Sequence, residues 1–206
     1  MLKVILARHG ETDWNQERRV QGSGSNRPLT ETGKQQAESI GLTLKRERIQ
    51  AIYSSPLQRA MDTAQAIARH HRVEVQIEPS LKEIDAGRLE GISLAKIGSY
   101  LNQLIAREHG YESIHKEYGG ESLTEVQQRA WSTIQRLADR HHDGVIVVVC
   151  HYFIIMSIIC SVLNLPISKM GRLKLTVGSI STILFDERGT RLVLFNDTCH
   201  LAGTES

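Results

Sequence analysis

The sequence lacks the common motifs that hold a catalytic metal ion or a nucleotide. Its 206 residues include no HExxH or CxxC motif, no glycine-rich dinucleotide fingerprint and no GxxxxGKS/T loop. Each of these motifs places ligands or backbone N–H groups at the spacing that its metal or phosphate requires. We therefore expect no metal and no cofactor.

Cysteine is also scarce. Cys150, Cys160 and Cys199 have no metal-ligand spacing, and the first two lie in very apolar surroundings. We expect reduced thiols in a cytoplasmic protein rather than disulfides. The first apolar stretch is short and has no small-residue cleavage site after it, which is not typical of a signal peptide.

Neither positive nor negative charge dominates the composition. The chain has 25 Lys and Arg against 23 Asp and Glu, a net charge of +2, and no long basic run. This balance argues against a nucleic-acid partner. The apolar run 145–163 is long enough to span a membrane. However, its β-branched start, His151 in its middle and the Asn164 and Pro166 that follow predict a buried strand, a turn and a buried helix, and therefore no membrane.

Strand-like and helix-like segments alternate along the chain. Thr30, Ser55 and Ser122 are residues that favour helix N-caps. The alternation predicts an α/β fold with a mainly parallel sheet, and a closing hairpin adds an antiparallel strand. We expect a single domain over residues 1–206. Strands are expected near 3–7, 51–55, 73–77, 145–149, 180–185 and 191–195, and helices near 31–47, 56–70, 93–108, 122–140 and 153–163.

Ionisable side chains follow several of these strands. In open parallel sheets, ligands bind outside the carboxyl ends of the strands. Arg8 follows the first strand and has the fork of donors that suits a phosphate. The adjacent His9, when neutral, could attack phosphorus and form a phosphohistidine. Gly10 removes a side chain where a ligand could approach closely.

Other candidates reach the same edge of the predicted sheet. His151 begins a helix, where free N–H groups and the helix dipole favour an anion. Arg59 lies one turn into the helix after the second strand and is a second candidate clamp for a phosphate. A carboxylic acid in the loop 80–91 could protonate a leaving oxygen and then deprotonate water. Spacing alone does not choose among the acids of this loop, which are Glu83, Asp85 and Glu90.

Taken in order, several segments resemble the histidine phosphatase superfamily, also called the phosphoglycerate mutase-like family. The resemblance runs from residue 4 to about residue 201 and implies a three-layer α/β/α sandwich. The RHG triplet alone is a weak signal, but its combination with the later arginine helix and strand-end histidine is specific. The matching segments are RHGETDWN (8–15), PLTETGKQQA (28–37), SSPLQRAMDTA (54–64), LKEIDAGRLEG (81–91), GGES (119–122), the strand that ends at His151, and NDTCHL (196–201).

The resemblance also implies roles for individual residues. His9 matches the nucleophile that becomes phosphorylated. Glu83 matches the proton donor, and we expect its setting beside the phosphate to raise its pKa. Arg8, Arg59 and His151 match the phosphate pocket and supply positive charge without a metal ion. The remaining residues that we assign to phosphate or substrate binding are Asn15, Gln21, Gly22 and Tyr152.

We therefore expect a metal-independent phosphomonoester hydrolase that acts through a phosphohistidine. Its substrate would be a small phosphorylated metabolite such as phosphoserine, α-ribazole phosphate or a sugar phosphate. A cofactor-dependent phosphoglycerate mutase is the alternative. A binding module without catalysis is less favoured, because His9 and Glu83 are both present. Residues 93–121 are expected to cover the pocket and help select the substrate, and any oligomer is expected to be a homodimer.

The chain departs from the family's usual pattern at four positions beside the expected pocket. Asn26 stands where the family often has aspartate, and Leu89 where many members have tryptophan. Tyr152 replaces the usual glycine after the late histidine, and Met156 replaces an arginine. These changes leave the identity of the leaving group open.

Overall fold

A computed structural model describes residues 1–98 and 118–202. Within these ranges, six strands form one sheet in the order β3-β2-β4-β1-β5-β6. β1 is parallel to β4 and antiparallel to β5, whereas β2 is parallel to both β3 and β4. The strands are β1 (Leu2–Arg8), β2 (Ile49–Ser54), β3 (Val75–Ile77), β4 (Gly144–Cys150), β5 (Ile180–Asp186) and β6 (Gly189–Asp197).

Helices cover both faces of this sheet. Because side chains alternate along a strand, Leu6 of β1 packs with α4 and α5, while Ile5 packs with α2 and α3 on the other face. The central strand β4 is buried from both sides, which explains its continuous β-branched run. The predicted three-layer α/β/α sandwich is confirmed. The helices are α1 (Asp13–Gln16), α2 (Glu31–Leu44), α3 (Gln58–Ala68), α4 (Leu123–His141) and α5 (Tyr152–Val162).

Local sequence signals place most helix starts correctly. Thr30 Oγ1 accepts the N–H of Gly33 and caps α2. Ser122 and Glu125 form the predicted capping box of α4. The run 145–163 divides into β4 and α5 as predicted, with His151 as the N-cap residue of α5. No helix in the described part of the chain is long and apolar enough to cross a membrane.

The predicted start of α3 is wrong. Ser55 was expected to cap this helix with Pro56 in its first turn, but the helix begins at Gln58 and has Leu57 at its N-cap position, without a side-chain cap. The N–H of Gln58 is instead accepted by Asn26 Oδ1 at 2.7 Å, from a loop distant in sequence. Ser55 Oγ lies 2.7 Å from Nε2 of His151. A tertiary contact therefore replaces the local capping signal.

Other predicted bounds shift by a few residues. The helix expected over 93–108 is present at residues 94–98, and the rest of it lies outside the described residues. The covering segment expected over 93–121 falls mostly on residues 99–117 and stays a prediction for the same reason. The third strand is only three residues long. All three cysteines are free, with Cys150 and Cys160 buried, as expected.

Candidate active site

His9 directly follows β1 at the carboxyl end of the sheet. Its backbone N–H donates to the carbonyl of Cys150 at the end of β4, at 3.1 Å, and its own carbonyl accepts the N–H of Gly178 at 3.0 Å. In the side chain, Nδ1 lies 2.7 Å from the carbonyl oxygen of Gly10. A carbonyl can only accept, so Nδ1 carries the proton and Nε2 keeps its lone pair in the neutral ring. The backbone thus selects the tautomer that a nucleophile needs.

Burial keeps this imidazole neutral. Burial, followed by the positive charges of Arg59 and Arg8, lowers the pKa of His9 well below its ordinary value. Each cause disfavours a second proton on the ring. At neutral pH, therefore, Nε2 is available for attack on an electrophile.

Gly10 is required for packing, and its expected role in ligand approach stays a prediction. A Cβ atom at this position would lie 2.3 Å from the carbonyl oxygen of Gly33 in the first turn of α2. The N–H of Gly10 is accepted by Thr63 Oγ1 of α3 at 3.2 Å. The loop after His9 is therefore held tightly between the two helices of this face.

Arg8 and Arg59 bring two buried cations to His9. Arg8 Nη1 donates to the carbonyl of Leu175 at 2.7 Å, and its guanidinium carbon lies 5.3 Å from the centre of the Tyr152 ring. Arg59 is fully buried and donates from Nη1 to the carbonyl of Ser25 at 2.9 Å and from Nη2 to that of Gly22 at 3.0 Å. Burial lowers the pKa of both arginines to about 10, so both are charged at neutral pH.

Each of the two arginines has a hydrogen-bond donor without a partner. The Nε atoms of Arg8 and Arg59 are buried and have no hydrogen-bond partner. A buried donor without a partner is costly, and a buried charge more so, unless an anion compensates it. The chemistry of this pair therefore fits a phosphoryl group, whose oxygens accept several charge-assisted hydrogen bonds.

His151 packs against His9 from the start of α5. Their ring centres lie 5.1 Å apart. Nε2 of His151 contacts Ser55 Oγ at 2.7 Å, whereas its buried Nδ1 has no partner. Burial and then the charge of Arg59 lower the pKa of His151 well below its ordinary value. The positive charge expected on His151 is therefore absent without a bound anion, although a phosphate dianion would favour the protonated ring.

Glu83 is the buried acid of the site. Its Oε1 accepts the N–H of Ile84 at 2.9 Å, and its two oxygens lie 3.2 and 3.3 Å from the N–H of Phe153 in the first turn of α5. Burial raises the pKa of Glu83, while the hydrogen bond from Ile84 and the charge of Arg59 act in the opposite direction. The predicted direction of this shift is confirmed, and its main cause is burial.

The other two acids of that loop serve its structure. Asp85 Oδ1 accepts the N–H of Gly87 at 2.9 Å. Glu90 Oε1 accepts the N–H groups of Gly22 and Gly24 at 3.0 and 2.9 Å and so holds the loop that carries them. Only Glu83 among the three lines the cavity above His9. Geometry therefore separates three carboxylates that spacing could not.

The residues assigned to substrate binding fall into two groups. Asn15, Gln21 and Tyr152 line the cavity, together with Arg8 and His9. The buried Nε2 of Gln21 has no partner, which leaves its two N–H donors available to a ligand. Arg59, His151 and Gly22 lie outside the lining, and the carbonyl oxygen of Gly22 accepts a hydrogen bond from Nη2 of Arg59.

The cavity has a volume of about 740 Å³, and many of its lining residues were given no role by the sequence analysis. Leu89 was placed beside the expected pocket, and Leu94 and Ile97 lie in the expected covering segment 93–121. Glu11 and Trp14 lie in a matching segment but were given no role. The others lie outside the matching segments, so motif reasoning could not find them. No group of three or more His, Cys, Asp or Glu side chains within residues 1–98 and 118–202 could hold a metal ion. The additional lining residues are Glu11, Trp14, Arg18, Arg19, Val20, Leu89, Leu94, Ile97, Phe153, Lys174, Leu175 and Val177.

Comparisons with known proteins support the resemblance drawn from the motifs. The family model described as Histidine phosphatase superfamily (branch 1) matches residues 4–198. Phosphoserine phosphatase 1 of Hydrogenobacter thermophilus is 36% identical over 203 residues, which cover 98% of this chain and 95% of that protein. A probable phosphoglycerate mutase, GpmB, of Cronobacter sakazakii is 33% identical over 194 residues, 91% of this chain and 86% of that protein.

A solved structure agrees with these sequence matches. Bacillus stearothermophilus YhfR superimposes with a TM-score of 0.87 at 28% identity and covers 98% of this chain and 100% of its own. The family and the fold that the motifs implied are thus both confirmed.

Proposed function

Because this chain belongs to the histidine phosphatase superfamily, we propose that it hydrolyses a small phosphorylated metabolite through a phosphohistidine on Nε2 of His9. The observation that carries this proposal is the contact of His9 Nδ1 with the carbonyl of Gly10 at 2.7 Å. That contact fixes the tautomer and directs the lone pair of a neutral, buried imidazole away from the backbone.

In the first step, Nε2 of His9 forms a bond to phosphorus as the bond from phosphorus to the leaving oxygen breaks. Arg8 and Arg59 hold the phosphoryl oxygens with charge-assisted hydrogen bonds and stabilise the charge of the transition state. Glu83, kept protonated by its buried setting, gives its proton to the leaving oxygen. The alcohol leaves, and Glu83 becomes a carboxylate.

In the second step, the same carboxylate takes a proton from water, and the oxygen of that water attacks phosphorus. The bond to Nε2 breaks, inorganic phosphate leaves, and His9 returns to the neutral form. Glu83 is protonated again, so the cycle closes. Covalent catalysis divides one difficult displacement into two easier ones, and the two buried arginines serve both steps.

We infer that the reaction needs no metal ion, because the arginines supply two fixed positive charges beside His9. We favour a phosphatase over a mutase, since a relative 36% identical over 98% of this chain is named a phosphoserine phosphatase. The relative named a probable phosphoglycerate mutase is 33% identical, so a mutase assay belongs in the test.

The test is release of inorganic phosphate in EDTA from phosphoserine, α-ribazole phosphate, sugar phosphates and a generic aryl phosphate. We expect release from at least one, loss of release in His9→Ala, and a gain of one phosphoryl group by mass spectrometry of rapidly quenched wild-type enzyme. His142→Asn is the matched control, because His142 is exposed at the end of α4, next to the amino end of β4. No release, with transfer between phosphoglycerates instead, would identify a mutase. Release that EDTA abolishes would contradict metal independence.

A further inference from the structure

The cavity above His9 is larger and more basic than a phosphate site alone requires. Its volume of about 740 Å³ lies in the range of pockets that enclose drug-sized ligands. Besides Arg8, three cations line it, namely Arg18, Arg19 and Lys174. Its two carboxylates do not balance them. Glu83 is buried at the phosphate site, and Glu11 Oε1 is engaged by Thr30 Oγ1 at 2.9 Å and by Gln16 Nε2 at 2.8 Å.

These three cations differ in their partners. Arg19 forms an ion pair with Glu17 and donates to the carbonyl of Gly91 at 2.9 Å. Arg18 and Lys174 are exposed, and the side chain of neither one makes a hydrogen bond or an ion pair with a described residue. Two uncompensated cations in one cavity raise its positive potential and attract a second anionic group.

Arg18 occupies a backbone position that does not favour arginine. It has φ of 53°, in the left-handed region. It follows α1, where the N–H of Arg18 donates to the carbonyl of Asn15 at 3.2 Å and that of Arg19 donates to Trp14 at 2.9 Å. This hydrogen-bond pattern is the Schellman motif, whose left-handed residue is usually glycine or asparagine. Backbone strain of this kind is typical of functional sites, which makes Arg18 a candidate for a role at the cavity.

Lys174 lines the same cavity from a different segment of the chain. It precedes Leu175, whose carbonyl accepts Arg8 Nη1 at 2.7 Å. Both cations are therefore carried by segments that also position the phosphate site, since Arg18 follows the loop of His9. Apolar side chains, among them Val20, Leu94, Phe153 and Leu175, line the same space.

We propose that Arg18 and Lys174 form a second anion site, so that the preferred substrate carries a carboxylate or a second phosphate beyond an apolar part of its leaving group. This inference rests on the proposed function, because it describes the part of the substrate that leaves. The phosphoryl group would bind at Arg8 and Arg59, the apolar part along the wall, and the second anion at the mouth of the cavity.

A matched pair of substrates tests this proposal. One is the phosphate monoester of a hydroxyphenyl-propanoic acid, and the other is the same ester with the acid converted to a neutral amide. We expect wild-type enzyme to prefer the acid by about tenfold in kcat/KM, the effect of one charge-assisted hydrogen bond. We expect the double variant Arg18→Asn, Lys174→Gln to lose most of that preference, because its kcat/KM on the acid falls toward its kcat/KM on the amide.

Two further measurements test whether Arg18 and Lys174 act by contacting the substrate. One controls for the net charge of the protein, and the other for the stability of the fold. Arg46→Gln removes an exposed arginine just before β2, at the amino end of the strand, whereas His9 lies at the carboxyl end of the sheet. This variant should keep the preference for the acid. Arg18→Asn alone should raise Tm by about 2 °C, because asparagine tolerates the left-handed region better than arginine. A fall in Tm would assign Arg18 a structural role and overturn the proposal.

The remaining outcomes distinguish this inference from the proposed function. Equal turnover of acid and amide by the wild-type enzyme would overturn the second anion site and leave the phosphatase intact. Loss of preference in Arg46→Gln would also overturn it. No release of phosphate from either ester, or from any aryl phosphate, would overturn the proposed function and this inference together.

Discussion

The carboxylate of Glu83 accepts the backbone N–H of Phe153 in the first turn of α5, with its two oxygens 3.2 and 3.3 Å from the nitrogen. This contact joins the proposed acid to the helix whose N-cap residue is His151. The helix dipole favours the carboxylate, whereas burial favours the neutral acid, and burial has the larger effect on its pKa. An acid balanced in this way can give and take back one proton in each cycle.

Glu83→Gln should remove the proton donor without removing the acceptor for Phe153. We expect kcat on an alkyl phosphate to fall by about 10²–10⁴-fold, the usual contribution of general acid catalysis. An aryl phosphate with a good leaving group should lose less in the first step, since its oxygen needs less protonation. Asp85→Asn, in the same loop, is the control and should stay near wild type. Equal losses on both substrates would contradict the role of Glu83 as an acid.

The pH dependence of kcat/KM should report the same group. The raised pKa of Glu83 means that the active, protonated form is lost as the pH rises through that value, which gives a falling alkaline limb. The lowered pKa of His9 keeps the nucleophile neutral well below pH 6.5, so its limb lies on the acid side. Glu83→Gln should abolish the alkaline limb only. A limb that persists unchanged in this variant would assign it to another group.

The two buried histidines should make the folded state sensitive to acid. In the unfolded chain they take up protons near pH 6.5, whereas His9 and His151 in the folded chain resist protonation to lower pH. The unfolded state therefore binds more protons as the pH falls below 6.5, and stability is lost by up to about 1.4 kcal/mol per pH unit for each histidine.

Chemical denaturation between pH 7 and pH 5.5 measures this effect. His9→Asn should flatten the fall in the free energy of unfolding, because one of the two histidines no longer contributes. The exposed His142→Asn should follow the wild-type curve. Parallel curves for His9→Asn and wild type would show that His9 is protonated in the folded state.

The placement of the site could be predicted from the sequence because it depends on local order along the chain. One strand ends at Arg8 and is followed by His9, and another is followed by His151, so these residues meet at the carboxyl end of the parallel strands. The capping box at Ser122 is equally local. Such features can be predicted from residues close together in the sequence and from the rule that ligands bind at the carboxyl ends of parallel strands.

The features that could not be predicted depend on contacts between distant segments. Asn26 Oδ1 accepts the N–H of Gln58, 32 positions away, and Ser55 Oγ contacts His151 in addition to accepting the N–H of Leu57 at 3.3 Å. The tautomer of His9 depends on the orientation of one carbonyl, and the pKa of Glu83 on its burial. The cations at the mouth of the cavity share no motif. Cytoplasmic location and a homodimer stay predictions.

Arg59 should stabilise the fold as well as the phosphate. Its two donors satisfy the carbonyls of Ser25 and Gly22, and its side chain is fully buried. Arg59→Ala should therefore lower the free energy of unfolding by about 2–4 kcal/mol, through lost packing and two carbonyls without partners. Arg69→Ala, an exposed position at the end of the same helix, should cost less than about 1 kcal/mol. Equal costs would show that the two carbonyl contacts contribute nothing.

Gly22→Ala should disturb the site through Arg59 rather than through the substrate. A Cβ atom at Gly22 would lie 2.5 Å from the carbonyl oxygen of Ile84 and 2.8 Å from Glu90 Oε1, so the loop must shift, at a cost of about 1–3 kcal/mol. Because the carbonyl of Gly22 holds Arg59 Nη2, we expect a higher KM and a lower kcat together with a lower Tm. Gly171→Ala is the matched control, since a Cβ atom there meets nothing within 4 Å. A Gly22→Ala enzyme with normal kinetics would show that this loop does not determine the position of Arg59.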